Sequence, residues 1–389
     1  MSTPLKILLT DPHMKGGGQV RYVVNLAKTL GELGHRVIIG CKSGSVLVEK
    51  AAEADASCAD GFTFKGGLRP SAWLHDLRLM RQLILNEEPD IVHVSGSQDH
   101  WVAAIANLQL GRPACLVRTR HNTYPVSDAL PNRILNRRWT DYQIVVCDVV
   151  RRTLSRQRAF DEARMCSIHN GVDARAFLPR PSVRDAMRAK FGYTTSNIVC
   201  GVAARLVPAK GHVFLFRAVA RLISEIPELR LLVLGHGDLE PELRALASEL
   251  KINDITTFAG YREDMDRCVQ AFDIGVQPSI DCDTSSFSLK EEMACEKPVV
   301  ASDYGGLTEI VTDGAEGYVV PAGTDEPIAD ALRQLCRDEA LRTRLGKAGR
   351  RRVLNEFTVQ VFASRTVDAY RRALDLHRAL RYARASELE

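Results

Sequence analysis

His169-Asn170-Gly171-Val172-Asp173 interrupts a regular alternation of short apolar runs and amphipathic stretches, and the same alternation restarts after it. Asn-Gly is a strong turn signal. Upstream, Lys6–Thr10 reads as a strand, followed by a glycine-rich turn and a helix over Val20–Leu33. Val20, Val23, Val24, Ala27 and Leu30 recur there at helical spacing until Gly34. Further strands are expected at Val37–Cys41, Ile91–Val94, Ala114–Val117 and Gln143–Cys147, with a helix over Leu74–Leu85. Downstream, strands are expected at Asn197–Ala203, Arg230–Leu234, Ile255–Phe258, Ile274–Gln277, Pro298–Ala301 and Gly317–Val320. Helices over His212–Ile226, Pro241–Leu250 and Lys290–Ala294 fall among them. Strand–helix alternation of this kind predicts an α/β chain with parallel sheets covered on both faces. Two Rossmann-like, doubly wound domains joined near residue 172 follow, with an interdomain cleft facing the carboxyl ends of the strands. The helical stretch from Val359 to about Leu380 has no strand after it, and spacing alone does not assign it to either half.

The composition agrees. A chain of 389 residues exceeds the size at which one core usually stops growing. Its 45% hydrophobic and 26% charged residues exclude disordered, collagen-like and disulfide-scaffold classes. No apolar run reaches the roughly 18 residues needed to span a bilayer, and Met1–Thr10 does not read as a secretory signal. The ten cysteines show no C-x2-C or C-x4-C spacing and read as buried reduced thiols, with no metal site. The formal charge is +4, but Met1–Arg175 carries 23 Lys and Arg against 17 Asp and Glu. Ten arginines lie between Arg112 and Arg158. Such a stretch suits phosphates or an anionic membrane surface, and no nucleic-acid motif accompanies it.

Three segments carry candidate chemistry. Gly16, Gly17 and Gly18 lie between the first strand and the first helix, where a backbone can approach an anion closely. A dinucleotide fingerprint fails there, because Arg21 stands where the last glycine would be needed. Arg205 and Lys210 bracket the turn after the first strand of the second half, a pair of cations suited to one phosphate group. The segment from Asp281 to Ala294 leads from a strand into a helix, with Asp283 ahead of that helix and Glu291 within it.

Taken in order, these motifs resemble glycosyltransferase family 4, the retaining nucleotide-sugar enzymes of GT-B fold. The resemblance rests on Gly16–Gly18, Leu30–His35, Pro89-Asp90-Ile91-Val92-His93, Asn170-Gly171-Val172-Asp173, Arg205 with Lys210-Gly211, and Gln277-Pro278-Ser279. Met293-Ala294-Cys295-Glu296-Lys297-Pro298-Val299-Val300-Ala301-Ser302 and Gly305-Gly306 complete it.

The resemblance implies an acceptor domain over 1–172, a donor domain over 173–361 and a last helix from about 362 that returns to the first domain. Arg205 and Lys210 would bind the donor diphosphate, Asp283 the transferred sugar and Glu291 the ribose. Ser286, Phe287 and Ser288 would lie beside the phosphates and sugar, Arg262 beside the base, and His121 would face the sugar as a catalytic group. No cofactor or metal is implied; the substrate is a UDP-sugar or GDP-sugar. Expected partners are that donor and a sugar, lipid-linked or lipopolysaccharide acceptor, with no nucleic acid. The expected location is cytoplasmic, with peripheral contact at the inner face of an anionic membrane. Three positions depart from the family pattern: Asp283 replaces Glu, Ser285-Ser286-Phe287-Ser288 replaces the usual F-G-L, and Glu296 replaces Gly. A nucleotide-sugar epimerase and a non-catalytic sugar-nucleotide binder are the alternatives, and no second acid–base pair for an epimerase is visible.

Overall fold

The computed structural model describes residues 3–67 and 69–386. The chain divides into two compact units, Met1–Gly171 with the stretch from Val359 onward, and Val172–Thr358.

The first unit contains β1 (Lys6–Asp11), β2 (Arg36–Lys42), β3 (Ser57–Phe62), β4 (Ile91–Val94), β5 (Cys115–Arg120), β6 (Tyr142–Val145) and β7 (Met165–Ser167). They form one sheet in the order β3-β2-β1-β4-β5-β6-β7, parallel throughout. Its central strands are buried on both faces, which is why they read as unbroken apolar runs rather than as alternating ones. The two strands not anticipated are the edges. Ser57–Phe62 leaves most of its side chains exposed, and Met165–Ser167 has three residues, so neither carries the apolar signature of a central strand.

The second unit contains β8 (Ile198–Ala203), β9 (Leu229–Leu234), β10 (Thr256–Phe258), β11 (Ile274–Gln277), β12 (Val299–Ser302) and β13 (Gly317–Val320). Their order is β10-β9-β8-β11-β12-β13, all parallel. Helices Pro181–Lys190, Ser97–Gln109, Glu326–Arg337 and Glu339–Glu356 extend the sequence reading. The helix expected from Lys290 begins one turn earlier, at Phe287, because the Ser286 hydroxyl caps it. In both sheets the strand order reverses direction beside the first strand, between β1 and β4 and between β8 and β11. In open α/β sheets, ligands bind outside the carboxyl ends at such a reversal.

The last helix, Val359–Ser386, packs on the first unit. Its Tyr370 hydroxyl lies 2.6 Å from His93 Nδ1, and Phe362 meets the Tyr22 ring edge-on at 4.9 Å. His93 Nε2 continues to the Thr119 hydroxyl, which also meets the Tyr22 hydroxyl at 2.9 Å. These residues are all buried, and burial with the nearby Arg118 charge pushes the His93 pKa down to about 3. This neutral network therefore ties the last helix to β4 and β5.

The cysteines differ in part from expectation. All ten are free thiols, but Cys58 is exposed, and Cys166 and Cys282 are half-buried. No helix among the described residues is long and apolar enough to cross a membrane.

Candidate active site

At the reversal of the second sheet, the turn after β8 carries Arg205 and Lys210 and presses on the segment that follows β11. Ile280 and Asp281 both donate their amides to the Ala209 carbonyl, at 2.9 and 3.1 Å. Gly211 is left-handed (φ 66), and a Cβ there would lie 1.9 Å from the Pro278 carbonyl oxygen. Only glycine allows that approach.

The approach brings Lys210 Nζ to 2.8 Å from Asp283 Oδ2. The same oxygen accepts from Gln277 Nε2 at 2.9 Å and from Ser279 Oγ at 2.8 Å. Asp283 is only 4% exposed, so three donors hold one carboxylate oxygen in a nearly dry setting. The backbone of Asp283 is fixed as well. Its carbonyl accepts from the Gly306 amide at 3.1 Å, and Gly305 (φ 59) leaves room where a Cβ would meet that carbonyl at 2.0 Å. The Gly305-Gly306 pair is thus a cradle for the carboxylate-bearing loop.

Beside this cluster stands the amino end of the helix Phe287–Ala294. Ser286 Oγ accepts from the Leu289 amide at 3.3 Å and lies 3.1 Å from Ser288 Oγ. Ser288 Oγ in turn donates to Gln277 Oε1 at 3.2 Å. Lys210, Asp283, Gln277, Ser279, Ser286 and Ser288 therefore form one hydrogen-bonded constellation. Gln277 and Ser279 belong to the Gln277-Pro278-Ser279 motif but had no role in the sequence reading. Glu291 is buried on the same helix. Its neighbour Glu292 is fully buried, neither of its carboxylate oxygens has a hydrogen-bond partner among the described residues, and desolvation with the Glu291 charge raises its pKa well above the ordinary range.

Arg205 and Arg262, both expected here, stand apart from that constellation. Arg205 is exposed, and its guanidinium has no hydrogen-bonding or ionic partner among the described residues. Arg262 donates from Nε and Nη2 to the two oxygens of Asp264, at 2.8 and 2.6 Å, and that contact holds Asp264 below the usual carboxylate range. The neighbouring Tyr261 is exposed and meets His236 edge-on at 5.6 Å. Gly235-His236-Gly237, which follows β9, was not singled out in the sequence. A Cβ at Gly235 would lie 2.0 Å from the Ala204 carbonyl oxygen, so this loop backs the Arg205 turn. Asp281 is bound through Oδ1 by the Tyr304 hydroxyl at 2.8 Å, so Asp281 and Asp283 have different partners.

In the first unit, a cavity of about 760 Å³ opens at the other reversal, beyond the ends of β1 and β4. His121, at the end of β5, lines it and stands edge-on to Tyr22 at 4.7 Å. Burial, reinforced by Arg118, His93 and His13, pushes the His121 pKa well down, so its imidazole is neutral. Gly16 and Gly17 are exposed on the loop after β1, Gly18 is exposed at the start of the helix Gly18–Glu32, and a Cβ at Gly16 or Gly17 would meet nothing within 4 Å. The chain's own packing leaves that space open.

The ten arginines do not make one solvated face. Arg112 pairs with buried Asp141, Arg118 and Arg120 line the cavity, Arg133 pairs with Asp128, and Arg151 bridges Asp148 and Glu162. Arg137, Arg138, Arg152, Arg156 and Arg158 are the exposed ones. Cys115, Asp141 and His377 also come together in the interior, with ligand atoms within 4.8 Å. There Asp141 already accepts from Arg112 and from the Leu116 amide, and His377 lies 3.1 Å away, so the group reads as a seat for the last helix.

Comparison with known proteins agrees with this architecture. The family model for Glycosyltransferase Family 4 matches residues 16–176, and that for Glycosyl transferases group 1 matches residues 183–352. A D-inositol 3-phosphate glycosyltransferase of Nocardioides sp. is 30% identical, over 92% of this chain and 85% of its own length. Among solved structures, a glycosyltransferase from Rickettsia africae superposes with a TM-score of 0.86 at 22% identity, covering 96% of this chain and 99% of that one. Anabaena Alr3699/HepE in complex with UDP gives 0.82 at 21% identity, covering 94% and 99%. With two parallel Rossmann-like sheets and both family regions in order, the chain belongs to glycosyltransferase family 4 and has the GT-B fold.

Proposed function

We propose that the protein transfers a sugar from a nucleotide diphosphate sugar, UDP- or GDP-linked, to an acceptor hydroxyl with retention of configuration and without a metal. The observation that carries this reading is the Lys210–Asp283 pair beside the capped amino end of the helix Phe287–Ala294. It lies at the sheet reversal where a ligand is expected. Lys210 and the exposed Arg205 supply positive charge, and the first-turn amides of the helix supply aligned donors. Together they stabilise the charge that develops on the leaving diphosphate, and preorganised stabilisation of this kind is usually the largest contribution to catalysis. Asp283 holds Lys210 through Oδ2 and offers its other oxygen to a sugar hydroxyl. Glu291 receives the ribose, Ser286, Phe287 and Ser288 border the phosphates, and the Tyr261-Arg262 loop borders the base.

The acceptor occupies the first-unit cavity, with neutral His121 hydrogen-bonding the transferred sugar and the Gly16–Gly18 loop leaving room for it. As the bond from the anomeric carbon to the phosphate oxygen breaks, the acceptor oxygen bonds the same face. Its proton passes to the departing phosphate. Positioning carries most of the remaining task. A product in cell-surface polysaccharide, lipopolysaccharide or glycolipid synthesis fits this chemistry, and the exposed arginines between Arg137 and Arg158 suit peripheral contact with an anionic membrane.

The test is nucleotide release from a panel of UDP- and GDP-sugars with and without candidate acceptors, in EDTA. Acceptor-dependent release that survives EDTA and is lost in Asp283→Asn but kept in Asp281→Asn supports the assignment. Release abolished by EDTA, restored by Mg²⁺ or Mn²⁺, and equally lost in both variants overturns the metal-free mechanism.

A further inference from the structure

The first-unit cavity has a charge character that a neutral acceptor does not require. Lys42, Lys65, Arg69, Arg118 and Arg120 line it, and no Asp or Glu is among its lining residues. Lys65 and Arg69 are exposed, Lys42 and Arg120 are half-buried, and Arg118 is only 5% exposed. The positive charge therefore runs from the rim to the floor.

The floor is incompletely compensated. Among the described residues Arg118 Nε and Nη1 have no hydrogen-bond partner, and the carboxylate facing Arg118, Asp99 Oδ1, stands 3.8 Å from Nη1. Asp99 Oδ1 forms an ion pair with Arg118 at a separation too long for a hydrogen bond, the Asp11 carboxylate adds to it, and the other oxygen of Asp99 is committed elsewhere. Its Oδ2 accepts from the Thr10 hydroxyl at 2.7 Å and from the amides of Ser95 and Gly96, both at 3.0 Å. Arg120 donates one nitrogen to Asn136 Oδ1 at 2.8 Å and stacks over Phe160 at 5.0 Å, while its Nε is unpartnered. Burial and the Arg118 charge pull the Arg120 pKa down to about 9. Two guanidinium groups two residues apart on β5, one buried and one half-buried, with donors unfilled, are costly unless a ligand supplies the missing acceptors. A phosphate does so best, since its oxygens match the planar guanidinium fork.

We propose that this cavity binds an acceptor through a phosphate group, held by Arg118 and Arg120 and drawn in by Lys65 and Arg69. The assignment deepens the acceptor reading given above and rests on it. The phosphate belongs either to a water-soluble sugar phosphate or to a phospholipid headgroup, and the chemistry that recognises it is the same.

Calorimetry on the full chain with glucose 6-phosphate, glucose and inorganic phosphate, and sedimentation with phosphatidylglycerol or phosphatidylcholine vesicles, test it. Saturable binding of glucose 6-phosphate but not glucose identifies a soluble source. Binding of phosphatidylglycerol vesicles alone identifies a headgroup. In either case Arg120→Gln and Arg118→Gln should each weaken the phosphate-bearing probe roughly tenfold or more, the scale of one charged hydrogen bond. Should Arg118→Gln fail to fold, Arg120→Gln and the rim variant Lys65→Ala decide. Failure of every phosphate-bearing probe to bind, or binding unchanged in the arginine variants, overturns the proposal. UDP and GDP affinity measured on the same samples reports separately on the donor site, so loss of one reading is distinguishable from loss of the other.

Discussion

Replacing Lys210 by Ala removes one group from two interactions, and the structure separates their sizes. In the donor site, the ammonium is assigned one charge-assisted contact to the diphosphate. Such a contact contributes about 1.5–3 kcal/mol, which at 1.4 kcal/mol per decade weakens nucleotide binding roughly 10- to 150-fold. In the folded protein, the same ammonium neutralises Asp283 at 2.8 Å. Without it, a carboxylate that is 4% exposed keeps only the neutral donors Gln277 and Ser279. Losing one partner of a fully buried pair costs about 3–5 kcal/mol. Lys210 keeps 15% of its side chain exposed, and two hydrogen bonds survive, so about 1–3 kcal/mol is the expected loss here. Unfolding temperature should fall by roughly 2–4 °C per kcal/mol for a unit of this size. Adding Asp283→Asn removes the stranded charge, so the double variant should regain most of the stability and none of the nucleotide affinity. Calorimetry with UDP and GDP, paired with thermal unfolding, reads both. Unchanged affinity in a folded Lys210→Ala protein, or affinity that recovers together with stability in the double variant, would refute the assignment of Lys210 to the diphosphate.

The pH profile tests His121. Its folded pKa lies well below 6.5, so kcat should stay level as pH falls through 6.5, and a protonation limb there that vanishes in His121→Asn would contradict a neutral imidazole. Tyr370→Phe strands His93 Nδ1 in the interior at a cost of about 1–3 kcal/mol; thermal unfolding should show the loss, and an unshifted transition would mean that the last helix is held by packing alone. Glu292 supplies a stability prediction with a defined sign. Below about pH 4.5 both folded and unfolded states hold the proton. Above it the unfolded state releases the proton and the folded state keeps it, so folding loses about 1.4 kcal/mol per pH unit until the folded pKa is reached. Urea titrations should therefore show Glu292→Gln gaining on the parent as pH rises from 4.5 to 7, and a difference independent of pH would show that Glu292 ionises freely.

Much of the site was legible because glycines and charged residues mark places where backbones meet. Arg205, Lys210-Gly211, Asp283 and Gly305-Gly306 lie on loops at strand ends, where local chemistry marks them and the family resemblance proposes their roles. What local reading missed was mutual arrangement. It treated Lys210 as a cation awaiting an anion, whereas the folded chain gives it Asp283, 73 residues away. It placed Arg262 on the loop beside the base with no partner of its own, and the folded chain gives its Nε and Nη2 to Asp264. It took the arginines from Arg112 to Arg158 together as suited to phosphates or an anionic membrane, whereas strand β5 turns Arg118 and Arg120 toward the cavity and Arg112 pairs with Asp141 inside the fold.

The sequence by itself determined the two parallel sheets, their central strands and the turn near residue 172, because a strand buried on both faces must be apolar along its length and a turn must carry residues that permit it. It did not determine the edge strands: Ser57–Phe62 has mostly exposed side chains, which are under no such demand, and Met165–Ser167 is only three residues long. Nor did it explain Glu296 where the family pattern has glycine. The structure shows that residue left-handed at φ 57, just past the end of the helix Phe287–Ala294, the conformation that glycine adopts without strain. Tertiary structure alone decided which polar residues are buried together. Asp283 with Lys210, His93 with Tyr370 and Arg118 with unfilled donors are all arrangements that local sequence does not specify. Hydrophobic periodicity reports which face of an element is covered, and it carries no information about which distant polar group will be there to meet it.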